Sequence, residues 1–154
     1  MTVSRKRSTL PPLPHDTRTW LAVVRAYNLC ESAMSARLAD IGLRVPEHEV
    51  LASLAAEPGI TQQELAARCF VAKSGVSMLL SQMEAKGWVR RDADDRDARV
   101  KRLALTPEGQ TIAARSRKIQ SQVVSAMVAG SSDAELEAVT VAMENVSARL
   151  EALR

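Results

Sequence analysis

Charged residues of opposite sign alternate in the stretch DDRDAR, residues 94–99. Two runs with a strand-like pattern, WVRRD and VKRLALT, flank this stretch, so the sequence predicts a β-hairpin with the charges at its tip. A narrow tip can enter the minor groove of DNA, where negative potential is concentrated and arginine is favoured. We therefore predict that Arg96 and Arg99 contact DNA.

The aspartates of the same stretch have a supporting role in this prediction. Asp94 and Asp97 lie close enough in sequence to hold a guanidinium group, or to stiffen the turn by accepting backbone N–H bonds. The alternative is a solvated hairpin whose exposed ion pairs contribute little to stability. The segment upstream of the hairpin favours the functional interpretation.

A helix-turn-helix is predicted directly upstream. Thr61 and Glu64 have the spacing of a capping box and start a short helix in TQQELAARC. A tight break at Phe70 and Val71 leads into a longer helix in AKSGVSMLLSQMEAKG, which Gly87 ends. The second helix of such a motif lies in the DNA major groove, where residues near its start meet base edges.

The longer helix has an apolar face and a polar face. The apolar face consists of Val76, Leu79, Leu80 and Met83. The other face offers small side chains for close approach to DNA, a lysine for phosphates, and a glutamine for a base edge or the backbone. The predicted DNA-facing residues of this helix are Lys73, Ser74, Gly75, Ser77, Met78, Ser81 and Gln82.

Long helices are predicted on both sides of this central region. One spans Asp16 to Ile41, a second begins at Pro46, and a third begins at Thr106 and Pro107 and runs to about Ala129. The last helix begins at a capping box formed by Ser132 and Glu135 and has an apolar stripe of coiled-coil spacing. The stripe consists of Leu136, Val139, Met143, Val146, Leu150 and Leu153.

Burial of that terminal stripe requires a partner surface. We expect it to pack both on the first helix of its own chain and on a second copy of the chain. The predicted fold class is mainly α: a winged helix-turn-helix with a two-stranded β wing, flanked by long N- and C-terminal dimerisation helices. The predicted boundaries are 1–15 for a flexible basic tail, 16–42 for the N-terminal dimerisation helix, 43–106 for the DNA-binding domain and 107–154 for the C-terminal dimerisation helices.

The composition agrees with this organisation. The chain has 154 residues, 46% of them hydrophobic, and a net charge of +3, which suits one globular unit and permits a polyanionic partner. Lys and Arg are concentrated between 86 and 102 and in SRKR near the N-terminus. The sequence shows neither a signal peptide pattern nor an apolar run of membrane-spanning length, so we expect a cytoplasmic protein with reduced thiols.

The segment from Pro46 to Gly109 resembles the winged helix-turn-helix of the MarR family of bacterial transcriptional regulators. The resemblance lies in TQQELAAR, in VAKSGVSMLLSQMEAKGWVRR, in the wing pattern Asp-x-Arg-Asp-x-Arg at 94–99 and in LALTPEG. The flanking helices also fit the family. Two positions depart from it: Ala72 stands where a polar cap residue is usual, and Met78 stands where a longer polar or basic residue is common.

The resemblance implies a homodimer whose wings and recognition helices straddle a pseudo-palindromic operator in double-stranded DNA. It also implies a repressor, and a small phenolic or anionic effector bound between the dimer helices and the winged lobe. Some members of the family respond to cysteine oxidation instead. The operator and the regulated genes cannot be carried over from the resemblance, because the two departures lie in and beside the recognition helix.

Candidate residues for an effector pocket lie on the first two helices: Trp20, Tyr27, Cys30, His48 and Glu49. The favoured alternative is that the two aromatic residues belong to the core and that the two polar residues are solvated. Cys30 occupies the region where peroxide-sensing members carry a reactive cysteine, but Glu31 disfavours a thiolate, so a buried, inert cysteine is favoured. Cys69 replaces a core leucine, and burial is expected for it too.

Two other classes of function compete with a DNA-binding regulator. An enzyme is not expected, because the chain shows no metal-ligand spacing, no Gly-rich phosphate loop and no nucleophile with an evident base. We likewise expect no cofactor and no metal. A winged-helix module that binds protein is the stronger rival, but such a module does not need arginines at the wing tip.

Overall fold

The computed structural model describes residues 13–69 and 73–153, without the side chains of residues 73 and 74. The predicted break at residues 70–71, Ala72, the basic N-terminal segment up to residue 12 and the last residue lie outside the described part. The elements, in chain order, are α1 (His15–Ala39), α2 (Val45–Ala56), α3 (Gln62–Arg68), α4 (Lys73–Ala85), β1 (Val89–Ala93), β2 (Lys101–Leu105), α5 (Pro107–Val128) and α6 (Asp133–Glu151).

Helices α2, α3 and α4 and the β1–β2 hairpin pack around one apolar core, which we call the winged lobe. The predicted apolar face of α4 is confirmed, since Val76, Leu79, Leu80 and Met83 are all buried. Leu51, Leu65 and Leu103 complete the centre of the core from α2, α3 and β2, each with no exposed surface. Full burial of one such side chain stabilises a fold by about 1.5–3 kcal/mol.

The hairpin is antiparallel, with Val89 paired to Leu105 at its base and Ala93 paired to Lys101 at its far end. The loop before α3 extends this sheet by a short segment. The Gly59 N–H donates to the Leu103 carbonyl at 2.8 Å, and the Leu103 N–H donates to the Ile60 carbonyl at 2.9 Å. The base of the wing is therefore fixed to the start of the helix-turn-helix.

The start of α5 is tightly joined to the winged lobe. Thr106 is the predicted cap, and its hydroxyl accepts the Gly109 N–H at 3.0 Å while donating to the Gly87 carbonyl at 2.5 Å. A Cβ atom placed on Gly109 would lie 1.9 Å from the Trp88 carbonyl oxygen. Only glycine permits this approach, which explains why the stretch TPEG ends in glycine.

The terminal helices are far less buried than the lobe. Helix α1 packs on α2 and α5 and buries Met34 and Leu38. The predicted capping box of α6 is confirmed by Ser132 and Glu135, but α6 has no buried residue and no extended packing contact with another described element. The expectation that the α6 stripe packs on α1 of the same chain is therefore wrong.

Two smaller expectations about α1 also need correction. Trp20 and Tyr27 are 62% and 63% exposed, so neither belongs to the core of the chain. The helix ends at Ala39, two residues earlier than predicted, and Gly42 follows with a φ of 72° in the turn toward α2. None of the described helices combines the length and the apolar character that crossing a membrane would need.

Candidate DNA-binding surface

The tip of the wing is a closed turn organised by Asp94. Its Oδ1 accepts the backbone N–H groups of Arg96 at 2.8 Å and Asp97 at 3.2 Å, and its Oδ2 accepts from Arg102 Nε. The bonds from Arg96, Arg102 and Asp97 hold the pKa of the Asp94 carboxyl below its ordinary value. Arg102 also donates to the Gly59 carbonyl at 2.8 Å, which links the tip to the loop before α3.

The two wing arginines extend from this turn into solvent. Asp97 Oδ1 accepts both the backbone N–H of Arg99, at 3.0 Å, and its Nε, at 3.3 Å, yet the Arg99 side chain remains 93% exposed. The Arg96 guanidinium has no hydrogen bond or ion pair within residues 13–69 and 73–153. A rigid backbone thus presents two cations, with aspartates that organise the turn.

The predicted polar face of α4 is exposed where it is described. Ser77, Ser81 and Gln82 face solvent, and Met78 is 67% exposed. Gly75 is half-buried at the start of the helix. The side chains of Lys73 and Ser74 lie outside the described part, so their place on this face remains a prediction.

Arg91 connects the wing to this face, and sequence reasoning missed it. Its Nη2 donates to Ser81 Oγ at 3.1 Å, and its Nε lies 3.0 Å from Glu84 Oε2. Strand alternation was the available signal, because Arg91 lies on the same side of β1 as the buried Val89. Arg91 therefore fixes the wing strand along the exposed edge of α4.

A buried carboxylate at the start of α2 was also missed. Glu47 has no exposed surface, and its Oε1 lies 2.7 Å from Lys86 Nζ and 3.1 Å from Arg44 Nη2. Its Oε2 accepts the Arg44 backbone N–H at 2.9 Å. Burial alone would raise the pKa of Glu47, but the bonds from Lys86 and Arg44 outweigh it and hold this pKa below its ordinary value.

A cavity of about 440 Å³ lies between α1, α2, α5 and the end of α3. Four of the five effector candidates line it: Tyr27, Cys30, His48 and Glu49. Trp20 is not among its lining residues. Met34, Val45 and Val123 supply apolar walls, and Glu31 and Arg68 supply charge.

His48 is the unexpected member of this set, because it is buried rather than solvated. Its Nδ1 has no hydrogen-bond partner in the described part of the chain. Burial lowers the pKa of the imidazole, which is therefore neutral near pH 7. Glu49 is half-buried and not fully solvated, so the solvated interpretation is wrong for both polar residues.

Both cysteines border the same cavity, and both are free thiols. Cys30 and Cys69 are both half-buried, so the expectation of full burial is wrong for each of them. Burial raises the pKa of the Cys69 thiol, the Glu49 carboxylate adds to this, and a hydrogen bond with Ser53 opposes it. Among the described residues, no group of three His, Cys, Asp or Glu side chains is placed to hold a metal ion.

Comparison with known proteins gives the same picture. Residues 41–100 match the model of the MarR family. The HTH-type transcriptional regulator TtmR of Methylorubrum extorquens (strain PA1) is 32% identical over 99 residues, which cover 64% of this chain and 51% of TtmR. The chain thus spans only about half the length of this curated relative.

Solved structures agree over most of the chain. Streptococcus pneumoniae FabT in complex with DNA superposes with a TM-score of 0.78 and 20% identity, over 90% of this chain and 99% of FabT. Bordetella bronchiseptica BpsR, whose DNA binding is described as regulated by 6-hydroxynicotinic acid, superposes with a TM-score of 0.77 and 18% identity. That match covers 89% of this chain and 98% of BpsR.

The family match covers α2 to α4, β1 and the wing tip and ends just before β2, and the fold agreement extends to the terminal helices. Of these proteins, TtmR is named a transcriptional regulator and FabT was solved in complex with DNA. The predicted fold, a winged helix-turn-helix between long terminal helices, is confirmed, and its central segment, residues 41–100, is similar to the MarR family.

Proposed function

We propose that this chain is a sequence-specific DNA-binding transcriptional regulator that acts in the cytoplasm as a homodimer. The observation that carries the proposal is the wing tip, where Asp94 closes a rigid turn and two arginines project from it without a buried partner. A solvated hairpin does not need such organisation. A minor-groove contact does, because a preorganised arginine loses less conformational entropy on binding.

The exposed face of α4 is the major-groove element in this proposal. Ser77 and Ser81 are short enough to let the helix approach the bases, and Met78 presents an apolar tip that suits a thymine methyl group. Lys73 and Ser74 are assigned here from the sequence and the resemblance alone. Asp94 and Asp97 contribute by orienting the wing rather than by touching DNA.

The exposed apolar surface of the terminal helices supports the proposed homodimer. Trp20, Tyr27, Val139, Leu150 and Leu153 are all more than half exposed in the single chain. Apolar surface of this extent on helices without a partner marks a protein interface. A two-fold dimer built there would place two recognition helices on the half-sites of a pseudo-palindromic operator.

We further propose that the regulator is a repressor released by a small phenolic or anionic effector. The cavity supports this because its walls come from α1 and α5 as well as from the winged lobe. A ligand there can favour one arrangement of lobe and terminal helices over another. The unpartnered Nδ1 of neutral His48 suits a phenol or a carboxylic acid.

DNA binding is tested by selecting duplexes from a random-sequence library and measuring affinity for the selected duplex over a salt series. We expect tight, selective binding with a steep salt dependence, because the contacts replace condensed counterions. Arg96→Ala with Arg99→Ala should weaken binding at least tenfold and make the salt dependence shallower by about two contacts per protomer. Arg115→Ala, an exposed arginine of α5, is the charge control for this experiment.

Unchanged affinity and salt slope in the double wing variant would contradict the minor-groove role. Failure of the wild-type protein to select any duplex, with and without added effector candidates, would favour the protein-interaction module. The effector proposal has its own test. A hydroxylated aromatic acid such as 6-hydroxynicotinic acid should release the selected duplex from the wild-type protein but not from the variant His48→Leu.

A redox-responsive regulator is the second candidate, favoured by the position of half-buried Cys30 on the cavity wall. In that case a mild organic peroxide should release DNA, and Cys30→Ser should abolish the response while Cys69→Ser retains it. Release by peroxide in both variants would exclude Cys30 as the sensor. Absence of release in the wild type would exclude this second candidate.

A further inference from the structure

The buried carboxylate of Glu47 joins the start of α2 to the end of α4 through a set of polar contacts. We call Arg44, Glu47, Gln82 and Lys86 the Glu47 cluster. Arg44 Nη2 donates to both Glu47 Oε1, at 3.1 Å, and Gln82 Oε1, at 2.9 Å. Lys86 lies with its Nζ 4.5 Å from the centre of the Trp88 ring. The cluster thus places two cations beside the last turn of the recognition helix.

The contact with Arg44 determines which end of the Gln82 amide is presented to solvent. A guanidinium group only donates hydrogen bonds, so the atom of Gln82 that faces Arg44 must be the carbonyl oxygen. The NH₂ group then points away and is the part available to another molecule. Gln82 can therefore donate to a partner and cannot form the two-bond contact with adenine that requires both amide ends.

The charges of the cluster are divided between interior and surface. Glu47 has no exposed surface, whereas the side chains of Arg44 and Lys86 are 60% and 40% exposed. Only Nη2 of the Arg44 guanidinium is engaged, and its other N–H groups have no partner in the described part of the chain. The surface of the cluster therefore consists of donors, and the carboxylate that orients them is hidden behind them.

We propose that the Glu47 cluster is a phosphate-binding corner of the DNA surface, beside the major-groove face of α4. Arg44 and the Gln82 amide contact one backbone phosphate, and Glu47 is the positioning residue that holds Arg44 in place. Charge and donor geometry favour a phosphate, since a guanidinium and an amide NH₂ together match two phosphate oxygens. The assignment rests on the proposed DNA-binding function; it adds Arg44 to the proposed DNA contacts and assigns Gln82 to the DNA backbone rather than to a base edge.

The first test compares Arg44→Ala and Arg44→Lys with Arg115→Ala on the selected duplex over a salt series. Loss of a phosphate contact should weaken binding roughly tenfold per protomer and make the salt slope shallower by about one contact per protomer. Arg44→Lys should fall between wild type and Arg44→Ala, because it keeps the charge but cannot hold Glu47 and Gln82 together. Arg115→Ala, with the same loss of charge, should leave both quantities near wild type.

The second test uses Glu47→Gln, because the positioning role and the change in net charge predict opposite changes in DNA affinity for this variant. Removing a negative charge makes the protein more basic, which by itself strengthens DNA binding. The positioning role predicts weaker binding, because Arg44 loses the carboxylate that holds it. Thermal unfolding is measured in parallel, and if this variant is unfolded the Arg44 variants alone decide the proposal.

The outcomes separate this proposal from the function on which it rests. A wild-type protein that binds DNA, a wing variant that weakens binding, and an Arg44→Ala variant with unchanged affinity and salt slope would overturn the phosphate corner alone. Stronger binding by a folded Glu47→Gln would overturn the positioning role. Weakened binding by Arg44→Ala together with a shallower salt slope is the result that supports the proposal.

Discussion

The winged lobe and the terminal helices α1, α5 and α6 both consist mainly of α-helix, but they differ in how much of their apolar surface the single chain buries. The lobe buries apolar residues from every one of its elements, and the carboxylates of Asp94 at its tip and Glu47 at its base are both paired within the lobe. Helix α6 buries nothing, and the outer half of α1 exposes Trp20 and Tyr27. One region is complete in a single chain, and in the proposed homodimer a second molecule completes the other.

This difference separates two sources of stability. In the lobe, contacts within the chain supply the favourable energy, so its stability should not depend on protein concentration. In the terminal helices, burial of the α6 stripe requires association, so their stability should rise with concentration. The predictions below test this division, beginning with the largest expected effect.

Charged substitutions in the α6 stripe should have the largest effect on the assembly. Leu136→Asp with Leu150→Asp places two carboxylates where an apolar interface is expected, and buried unpaired charge costs several kcal/mol. We expect a monomer by size-exclusion chromatography with light scattering at micromolar concentration, while the winged lobe stays folded. Binding to a two-site duplex should fall by more than a hundredfold, because one lobe alone keeps a single half-site.

The matched control for this experiment places the same charges on the opposite face of the helix. Helical periodicity puts Asn145 and Ala148 away from the stripe, so Asn145→Asp with Ala148→Asp should leave the dimer intact. A dimer that survives the stripe variant, or a monomer in the wild type, would show that α6 is not the dimer seam.

Gly109→Ala should have the largest effect at the junction between α5 and the winged lobe. The added methyl group would overlap the Trp88 carbonyl, and both partners are backbone that can only move together with β1 or α5. Overpacking of this kind costs about 1–3 kcal/mol or more. Urea unfolding should show a lower midpoint at every protein concentration.

A neighbouring position on the exposed side of the same turn is the control. Gln110→Ala should leave the urea midpoint of the lobe nearly unchanged, since alanine suits a helix at least as well as glutamine. A Gly109→Ala variant as stable as wild type would mean that helix and strand separate easily at this junction. The lobe and α5 would then not form the tight joint described above.

His48 predicts a smaller, pH-dependent effect at the cavity between the two regions. Burial lowers the pKa of His48 below its ordinary value of about 6.5, so the unfolded chain binds a proton at a higher pH than the folded chain. Stability is therefore complete above pH 6.5 and is lost as the pH falls from there through the lowered pKa of the folded state. Urea midpoints from pH 7 to pH 5 should fall more in wild type than in His48→Gln.

The charged groups that share the cavity with His48 also affect its protonation. Glu31 and Glu49 would stabilise an imidazolium, and Arg68 would oppose it. If the urea midpoint falls between pH 7 and pH 5 by the same amount in wild type and in His48→Gln, then the two carboxylates offset the cost of burying a protonated His48. The cavity would then be more polar than its apolar walls indicate.

Sequence alone predicted the elements well wherever local rules decide them. Capping boxes located the starts of α3 and α6, Thr106 and Pro107 located α5, and alternation located both strands of the wing. The turn-stiffening role of Asp94 was likewise predictable, because an aspartate accepts N–H bonds from residues two and three positions ahead.

Residues that depend on distant partners were missed or misplaced. Glu47 and Lys86 are 39 positions apart, and no local pattern predicts that one buries its charge against the other. His48 was expected in solvent, because burial is decided by the packing of α1 and α5 on α2. Trp20 was expected in the core because large aromatic side chains are mostly buried, but it is 62% exposed in the single chain.

The smallest expected effects come from removing a helix cap. They allow a direct comparison, because α3 in the lobe and α6 among the terminal helices begin with the same kind of capping box. In the lobe, Thr61 Oγ1 accepts the Glu64 N–H at 3.2 Å, and Glu64 Oε2 accepts the Thr61 N–H at 2.6 Å. At the start of α6, Ser132 Oγ accepts the Glu135 N–H at 3.3 Å, and Glu135 Oε2 accepts the Ser132 N–H at 2.8 Å. Thr61→Ala and Ser132→Ala should each cost about 1 kcal/mol.

The two costs should nevertheless appear in different measurements. Thr61→Ala weakens an element that the chain completes by itself, so its unfolding midpoint should fall by the same amount at low and high protein concentration. Ser132→Ala weakens a helix that association completes, and both copies carry the change, so about 2 kcal/mol should appear as a dimer dissociation constant raised about thirtyfold, with the lobe midpoint unchanged in the monomer. If the two variants respond alike to protein concentration, then the lobe and α6 unfold as one unit, and the division between self-completed and partner-completed regions is wrong.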